Sequence, residues 1–390
     1  MISPKKYFNI NGLQITSFVL YFIFNFIARD IGNIFLLLTL IFCLIDYRSL
    51  YKVLIVNAKL VTAVVLFTIY ICVMAYYHSS PLNELDNYFR LLLLLPLLLI
   101  VLSEGVIIRL LCICALVGLI HWFFNHIFID HEIRRYAGTS SSIITFANMC
   151  ATLSMLSLYY ALYKTENPSL LILSAIIYFF LYTETETRGP LIGIIIVIIY
   201  LAFIAIRKFK SMKYYMLPFL ILSMITLAVM TTHHPLTERI KGIGKINFID
   251  PMKTHDMSLR ERIYYIKYSM EEVNERPITG IGPQNVHSRM LQKIKEQKLT
   301  KITPRDHVHN EFFDIVLKFG FMSLILLFQI YFLILNNKNR ENHILINILM
   351  IMFISSQLFQ SQFAHHQAIT FFLGLLYILQ PKTRSQSKVE

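Results

Sequence analysis

The chain has 390 residues, of which 56% are apolar and 15% charged. A soluble chain of this length carries about 45–50% apolar residues, and runs such as "LLLLLPLLLIVL" and "IGIIIVIIYLAFIAI" are too long and too pure for a soluble core. A soluble globular protein is therefore excluded, and the net charge of +13 reads as the Lys and Arg excess of cytoplasmic loops in a polytopic membrane protein, not as a nucleic-acid surface.

An apolar stretch of about 20 residues crosses a bilayer as a helix. In chain order, hydropathy marks about twelve stretches, at 12–28, 31–46, 59–77, 88–102, 106–128, 141–163, 169–183, 189–206, 214–231, 312–335, 343–360 and 366–380. The first follows Lys5 and Lys6 with no small-residue cleavage site behind it, so it reads as a retained span. The pattern predicts an all-α helical bundle in three parts: helices one to nine over 1–231, a large loop over 232–311, and helices ten to twelve with a tail over 312–390. No internal repeat of the kind found in many transporters is visible. Cys43, Cys72, Cys112, Cys114 and Cys150 all lie in apolar runs and read as small core residues, with no disulfide and no metal cluster expected.

Charge orients the bundle. With the N-terminus cytoplasmic, the inner segments include "DYRSLYKVLIVNAK", "YKTENP", "RKFKSMK", "NNKNREN" and the C-terminal tail, all carrying Lys or Arg. The opposite loops, such as "YYHSSPLNELDN", "YTETETRG" and "SQFAHH", are poorer in Lys. That is the positive-inside pattern, with both termini cytoplasmic. The loop 232–311 then faces outward. Structureless loops beyond about 15 residues are uncommon and often functional, and this one contains two amphipathic helical patterns, "LRERIYYIKYSMEEVNERP" and "NVHSRMLQKIKEQKL". Neither is apolar enough to span; they fit the membrane surface or a cap on the bundle.

The outer side gathers the chemistry. Arg188 stands at the outer end of the eighth span, Arg260 and Arg262 lie in "SLRERIYY", and His309 opens the tenth span. Single arginines at membrane edges usually snorkel to lipid phosphate. Several together with a histidine suit instead the oxygens of a phosphate or pyrophosphate leaving group. Glu184 and Glu186 either orient Arg188 or are simply solvated. His309 near a helix N-terminus is expected to have a lowered pKa, which keeps the imidazole neutral, as a general base requires. Asp306 or Glu311 would fix its tautomer; the alternative is a histidine that caps the helix or meets headgroups. Asp306, His307 and His309 could also ligate a metal, but His-x-His with one acid is a weak signal. The adjacent pairs His233–His234 and His365–His366 point about 100° apart on a helix and rarely chelate together. "GIGPQN" is no nucleotide-binding loop.

"HNEFFDIVLKFGFMS" resembles the signature of the bacterial O-antigen ligases (the WaaL family): His309, Asn310, nine residues, Gly320, two residues, then Ser323 where the family has Gly, Thr or Tyr. "TRGPLIG", with Arg188 and Gly189, looks like the family's Arg-Gly segment. "SLRERIYYIKYSMEEVNERPITGIG" is similar to the opening of its large periplasmic loop, with the family arginine on Arg262, Arg260 as its alternate, and Ile266 where an aromatic is usual.

The resemblance implies a GT-C-like glycosyltransferase in the inner membrane of a Gram-negative bacterium, with its active site facing the periplasm. The donor would be O-antigen on undecaprenyl pyrophosphate and the acceptor the lipid A–core oligosaccharide, with no cofactor, no metal and inversion at the anomeric centre. The implied catalytic residues are His309, Arg188 and Arg262. Arg260, Asn310, Gly189 and Gly320 are the implied substrate-binding positions. Two rivals remain: an O-antigen polymerase, which shares the donor and differs in acceptor, and a glycolipid transporter or flippase, which would want charged residues at mid-membrane. His121 and His126 are the nearest to that pattern and read as interfacial beside Trp122.

Overall fold

The computed structural model of the protein describes residues 10–129, 136–138, 140, 142–208, 252, 254, 256–336 and 342–381, the last four residues of the 142–208 stretch as backbone alone. The described residues are helical, with no strand among them. The helices are α1 (Ile10–Asn25), α2 (Arg29–Ile45), α3 (Tyr47–Val56), α4 (Ala58–Tyr77), α5 (Asp86–Leu93), α6 (Glu104–Phe124), α7 (Ile143–Tyr163), α8 (Ser169–Thr183), α9 (Gly189–Lys208), α10 (Met257–Glu275), α11 (Val286–Glu296), α12 (Glu311–Phe319), α13 (Phe321–Leu335), α14 (His343–Gln357) and α15 (His366–Ile378).

Among the described residues, three helices are long and apolar enough to cross a membrane: α4, α6 with its π-helical extension to Phe128, and α7. The pair α2 and α3 meets the same test as one broken span, bent by 89°. Six further apolar helices are shorter, including α1, α8, α13, α14 and α15. This is an all-helical membrane protein. The expected ninth span, 214–231, and the start of the large loop, 232–251, lie outside the described residues.

Two expected spans take another form. The stretch 88–102 is not one helix: α5 ends at Leu93, and a 3-10 turn, Leu95–Leu99, carries Pro96 before the chain turns extended at Ile100. Proline lacks the N–H and disfavours helix in the residue before it. Leu94, Leu95 and Leu97 to Ile100 are buried, so this run owes its apolarity to the inside of the bundle rather than to lipid. The stretch 312–335 breaks at Gly320 into α12 and α13.

Helix α7 is the hub. Every residue from Thr145 to Ala161 is buried, as expected for a helix that is apolar on all sides. It packs on α8, α9 and α14, while α1 packs on α2, α6 on α8, and α4 on α13. Helix α10 docks against α12. The chain between α10 and α11 folds back to meet the break between α12 and α13: Ile281 N donates to Leu317 O at 2.8 Å, Gly282 N to Lys318 O at 3.1 Å, and Phe321 N to Pro277 O at 2.9 Å. Gly320 has φ +81°, and a Cβ there would fall on the Ile278 carbonyl. The Ser323 hydroxyl donates to Ile315 O at 3.1 Å across the same break. The His-Asn-x9-Gly-x2-Ser signature is thus, in its second half, the sequence of a tight joint.

Candidate active site

Arg188 is delivered by the turn between α8 and α9. Thr185 Oγ1 donates to Tyr182 O at 2.7 Å, lies 2.7 Å from Thr187 Oγ1, and accepts from Thr187 N at 3.3 Å. Side-chain hydroxyls thereby take over backbone pairing where the helix stops, and Arg188 emerges directly ahead of α9. Its Nη2 donates to Asp256 Oδ2 at 2.8 Å. Asp256 in turn caps α10, its Oδ1 accepting from Leu259 N at 3.1 Å, the standard way to satisfy an orphan N–H of the first turn. Burial raises the Asp256 carboxyl, but the Leu259 N–H bond and the Arg188 charge outweigh it and hold the group below its usual value. Glu184 accepts from Trp122 Nε1 at 3.2 Å, while Glu186 lines the same cavity as Arg188.

One turn into α10 the two candidate arginines part. Arg262 lines a cavity of about 760 Å³ together with Arg188, Gly189, Asp256, Glu261 and Arg305. Arg260 is turned back along its own segment, with Nε and Nη2 donating to Thr254 O at 2.9 and 2.7 Å, and it does not line that cavity. The stretch 303–310 is zipped to α10: Tyr265 Oη donates to Thr303 O at 2.7 Å and Thr303 N to Glu261 Oε1 at 3.3 Å. This sets Arg305 on the wall of the same cavity. Arg305 was not singled out by sequence reasoning; it lies within "PRDHVHN", but nothing in local spacing tells a cavity arginine from a solvated one.

His309 sits just behind Arg262 and Arg305, half-buried, its ring 5.8 Å from that of Tyr265. Its φ is +55°, uncommon for a residue with a Cβ. The conformation is held on both sides: Val308 N donates to Asp314 Oδ1 at 3.1 Å, and Asn310 caps α12 by accepting from Phe313 N at 3.2 Å. The Asn310 amide also donates to Leu358 O at 3.0 Å, which brings the chain 358–366 over the histidine. Asn310 and Gly320 do not line the cavity; one is a cap and a strap, the other a joint. Gly189 does line it.

The electrostatics keep His309 neutral. Burial lowers its pKa to about 4, the charges of Arg262 and Arg305 push the same way, and the Gln360 hydrogen bond works against them. Burial and the arginines are thus the leading causes, where the sequence pointed to the helix end. Nor do the expected acids set the tautomer. Asp306 Oδ1 lies 3.1 Å from His287 Nδ1, and Glu311, fully buried, accepts from Phe363 N at 2.8 Å. Burial, and next the charge of Asp314, push Glu311 up to about 8, so it is largely protonated at pH 7. The partner of His309 is Gln360, whose Oε1 is 3.0 Å from Nδ1. That carbonyl oxygen requires Nδ1–H and leaves the lone pair on Nε2. The Gln360 amide nitrogen contacts His365 Nε2, and the rings of His307 and His309 meet edge-on at 4.6 Å. Among the described residues no three His, Cys, Asp or Glu side chains converge as metal ligands would, and Asp306, turned to His287, leaves the Asp306–His307–His309 set divided.

An imidazole bonded through Nδ1 to Gln360 therefore stands near a cavity lined by Arg188, Arg262 and Arg305. A search among curated proteins finds no match to the chain. Residues 170–328, a stretch that holds Arg188, Arg262, Arg305 and His309, match the family model described as O-antigen ligase, which bears out the resemblance and supports a function of the O-antigen ligase or polymerase type.

Proposed function

We propose that the protein is an O-antigen ligase, moving O-antigen polysaccharide from undecaprenyl pyrophosphate to a sugar hydroxyl of the lipid A–core oligosaccharide. In this reading it is a bundle of about twelve spans in the inner membrane of a Gram-negative bacterium, with both termini cytoplasmic and the cavity open to the periplasm. The observation that carries the reading is the convergence of Arg188, Arg262 and Arg305 from three separate segments onto one cavity, next to a histidine held neutral.

Arginine matches phosphate oxygens with paired N–H donors and is always charged. Arg188 and Arg262, with Arg305, bind the donor pyrophosphate and offset the charge that develops as it leaves. His309 Nε2 accepts the proton of the attacking core hydroxyl. The new bond forms between that oxygen and the anomeric carbon as the anomeric C–O bond to phosphate breaks, so undecaprenyl pyrophosphate departs and the configuration inverts. Asp256 steers Arg188, and Gln360 keeps the tautomer of His309. Asn310 and Gly320 serve this site by shaping the chain around His309, and Gly189 keeps the cavity wall low beside Arg188.

The test is complementation of a ligase-null host that makes O-antigen on a compatible core, followed by lipopolysaccharide banding. Wild type is expected to restore the ladder on lipid A–core, and His309→Ala, at equal protein level, to give none. No ladder with wild type would overturn the ligase assignment and turn the assay to chain-length growth of the lipid-linked glycan, the polymerase reaction. A full ladder with His309→Ala would remove the histidine from the mechanism.

A further inference from the structure

Helices α2 and α3 meet at an angle of 89°, and that bend decides where α3 lies. The 17 residues of α2 rise about 26 Å at about 1.5 Å each, most of the hydrocarbon depth of about 30 Å. A helix that leaves its end at a right angle runs along the membrane surface rather than through it. Helix α4, long and apolar enough to cross, follows α3 with only Asn57 between them.

Helix α3 has three sides. Leu50 and Val53 are buried, and the helix packs against the turn Leu95–Leu99. Tyr47, Tyr51 and Ile55 recur at i, i+4 and i+8 as one stripe and are 64%, 66% and 55% exposed. Arg48 and Lys52, also exposed, form a second stripe about 100° farther round than Tyr47 and Tyr51. Residues 46–59 set Arg48, Lys52 and Lys59 against Asp46 alone. Arg48 Nε donates to Tyr47 Oη at 3.2 Å, and its guanidinium carbon is 5.8 Å from the centre of that ring. Its two terminal nitrogens have no partner among the described residues, and neither has Lys52.

We infer that α3 is an in-plane helix docked on acidic phospholipid, with Tyr47, Tyr51 and Ile55 at the acyl boundary and Arg48 and Lys52 on headgroup phosphates. A solvated basic face needs no aromatic stripe beside it, whereas an apolar stripe flanked by cations is the pattern of an interfacial helix. Tyrosine suits that depth, its ring apolar and its hydroxyl wet. The occupant is lipid because the apolar surface is continuous with a membrane helix: Ile41, Leu44 and Ile45 of α2, all exposed, lead directly into Tyr47. The cations complement an anionic headgroup, and each adds attraction to it. The site stands whichever glycan reaction the protein performs.

The experiment uses the full chain with Trp122→Phe, which removes its one tryptophan, and Tyr51→Trp, which places one on α3. It is reconstituted in equimolar phosphatidylglycerol and phosphatidylcholine, with bromine on the acyl chains of one lipid or the other, and fluorescence quenching is read. Both lipids are expected to quench, the acidic one more deeply, with a preference of about fivefold for each cation engaged. Adding Arg48→Gln and Lys52→Gln is expected to keep the quenching and abolish the preference, and high salt to weaken it by screening. No quenching by either lipid would mean that the stripe faces water or a protein, and equal quenching by both would mean contact without headgroup recognition; either result overturns the site. A preference that survives the two glutamines overturns the assignment to Arg48 and Lys52. Should the tryptophan background melt below wild type, native mass spectrometry from the same lipids compares the chain with and without Arg48→Gln and Lys52→Gln. Fewer acidic lipids retained by the variant supports the site, and equal numbers overturn it.

Discussion

His309 and Gln360 are 51 residues apart in sequence and joined by a 3.0 Å hydrogen bond from Nδ1 to Oε1. The amide oxygen selects the tautomer in which Nε2 carries the lone pair, and it does so without adding charge. Gln360→Ala should therefore lower turnover by about 10- to 100-fold, part of what a positioned base supplies, with little change in KM for the donor. Gln360→Glu acts differently. A carboxylate at this position favours imidazolium, so the acid limb of the pH–rate profile should move up from its wild-type place near pH 4. A variant with lower turnover and an unmoved profile would mean that Gln360 only packs.

The three clustered imidazoles also make stability depend on pH. Burial, first among the causes, lowers His307 to about 2 and His309 and His365 to about 4. In the unfolded chain each titrates near 6.5. Between those values the three histidines bind more protons in the unfolded state; Glu311, pushed up to about 8 by burial, works the other way but is one group against three, so stability rises with pH through that window. The Tm of the purified chain is expected to fall steadily as pH drops from about 6.5 towards 4. His365→Asn should flatten part of that slope, and a Tm independent of pH over this range would contradict the buried, neutral cluster.

Arg260 and Arg262 are two residues apart and should behave in opposite ways. Arg262 lines the cavity; removing a charge-stabilising donor from such a position costs on the order of 10²–10³ in turnover. Arg262→Lys should recover little of this, because an ammonium lacks the paired donors of the guanidinium. Arg260 instead holds the Thr254 carbonyl through two of its nitrogens. Arg260→Ala should lower Tm and leave the rate per folded molecule within about threefold of wild type, a surface-type effect. Single-turnover ligation by purified variants, normalised to folded protein, separates the two.

The sequence carried the elements of this site better than its assembly. Arg188, Arg262 and His309 stand out because each breaks an apolar or amphipathic pattern at the outer edge of the bundle, and the helices of the large loop announce themselves by their periodicity. The partners were not visible. Asp306 and Glu311 are neighbours of His309 in sequence, yet the left-handed turn at His309 points its ring away from both, toward Gln360. Arg305 reaches the cavity only because Thr303 is pinned to α10, a long-range contact with no local signature. The leucine run at 94–100 has the composition of a span, but hydropathy cannot distinguish lipid from a neighbouring helix.

Gly320 and Gly189 offer a last contrast. At Gly320 the backbone has φ +81°, and an added Cβ would overlap the Ile278 carbonyl and lie 3.0 Å from Pro277 O. Both obstacles are backbone, held in place by the Phe321 N to Pro277 O bond, so neither can swing aside. Gly320→Ala should cost about 3 kcal/mol or more, combining left-handed strain with overpacking. The damage should spread to His309 through α12, lowering both Tm and activity. At Gly189 the nearest atom to an added Cβ is Phe359 Cβ at 3.4 Å, an ordinary contact. Gly189→Ala should leave Tm nearly unchanged, within about 0.5 kcal/mol, and any loss should appear in KM for the donor as the methyl narrows the cavity beside Arg188. Melting curves and donor titrations of the two variants test this directly. A stable Gly320→Ala would mean that the joint between α12 and α13 can open, and with it the strap that positions His309.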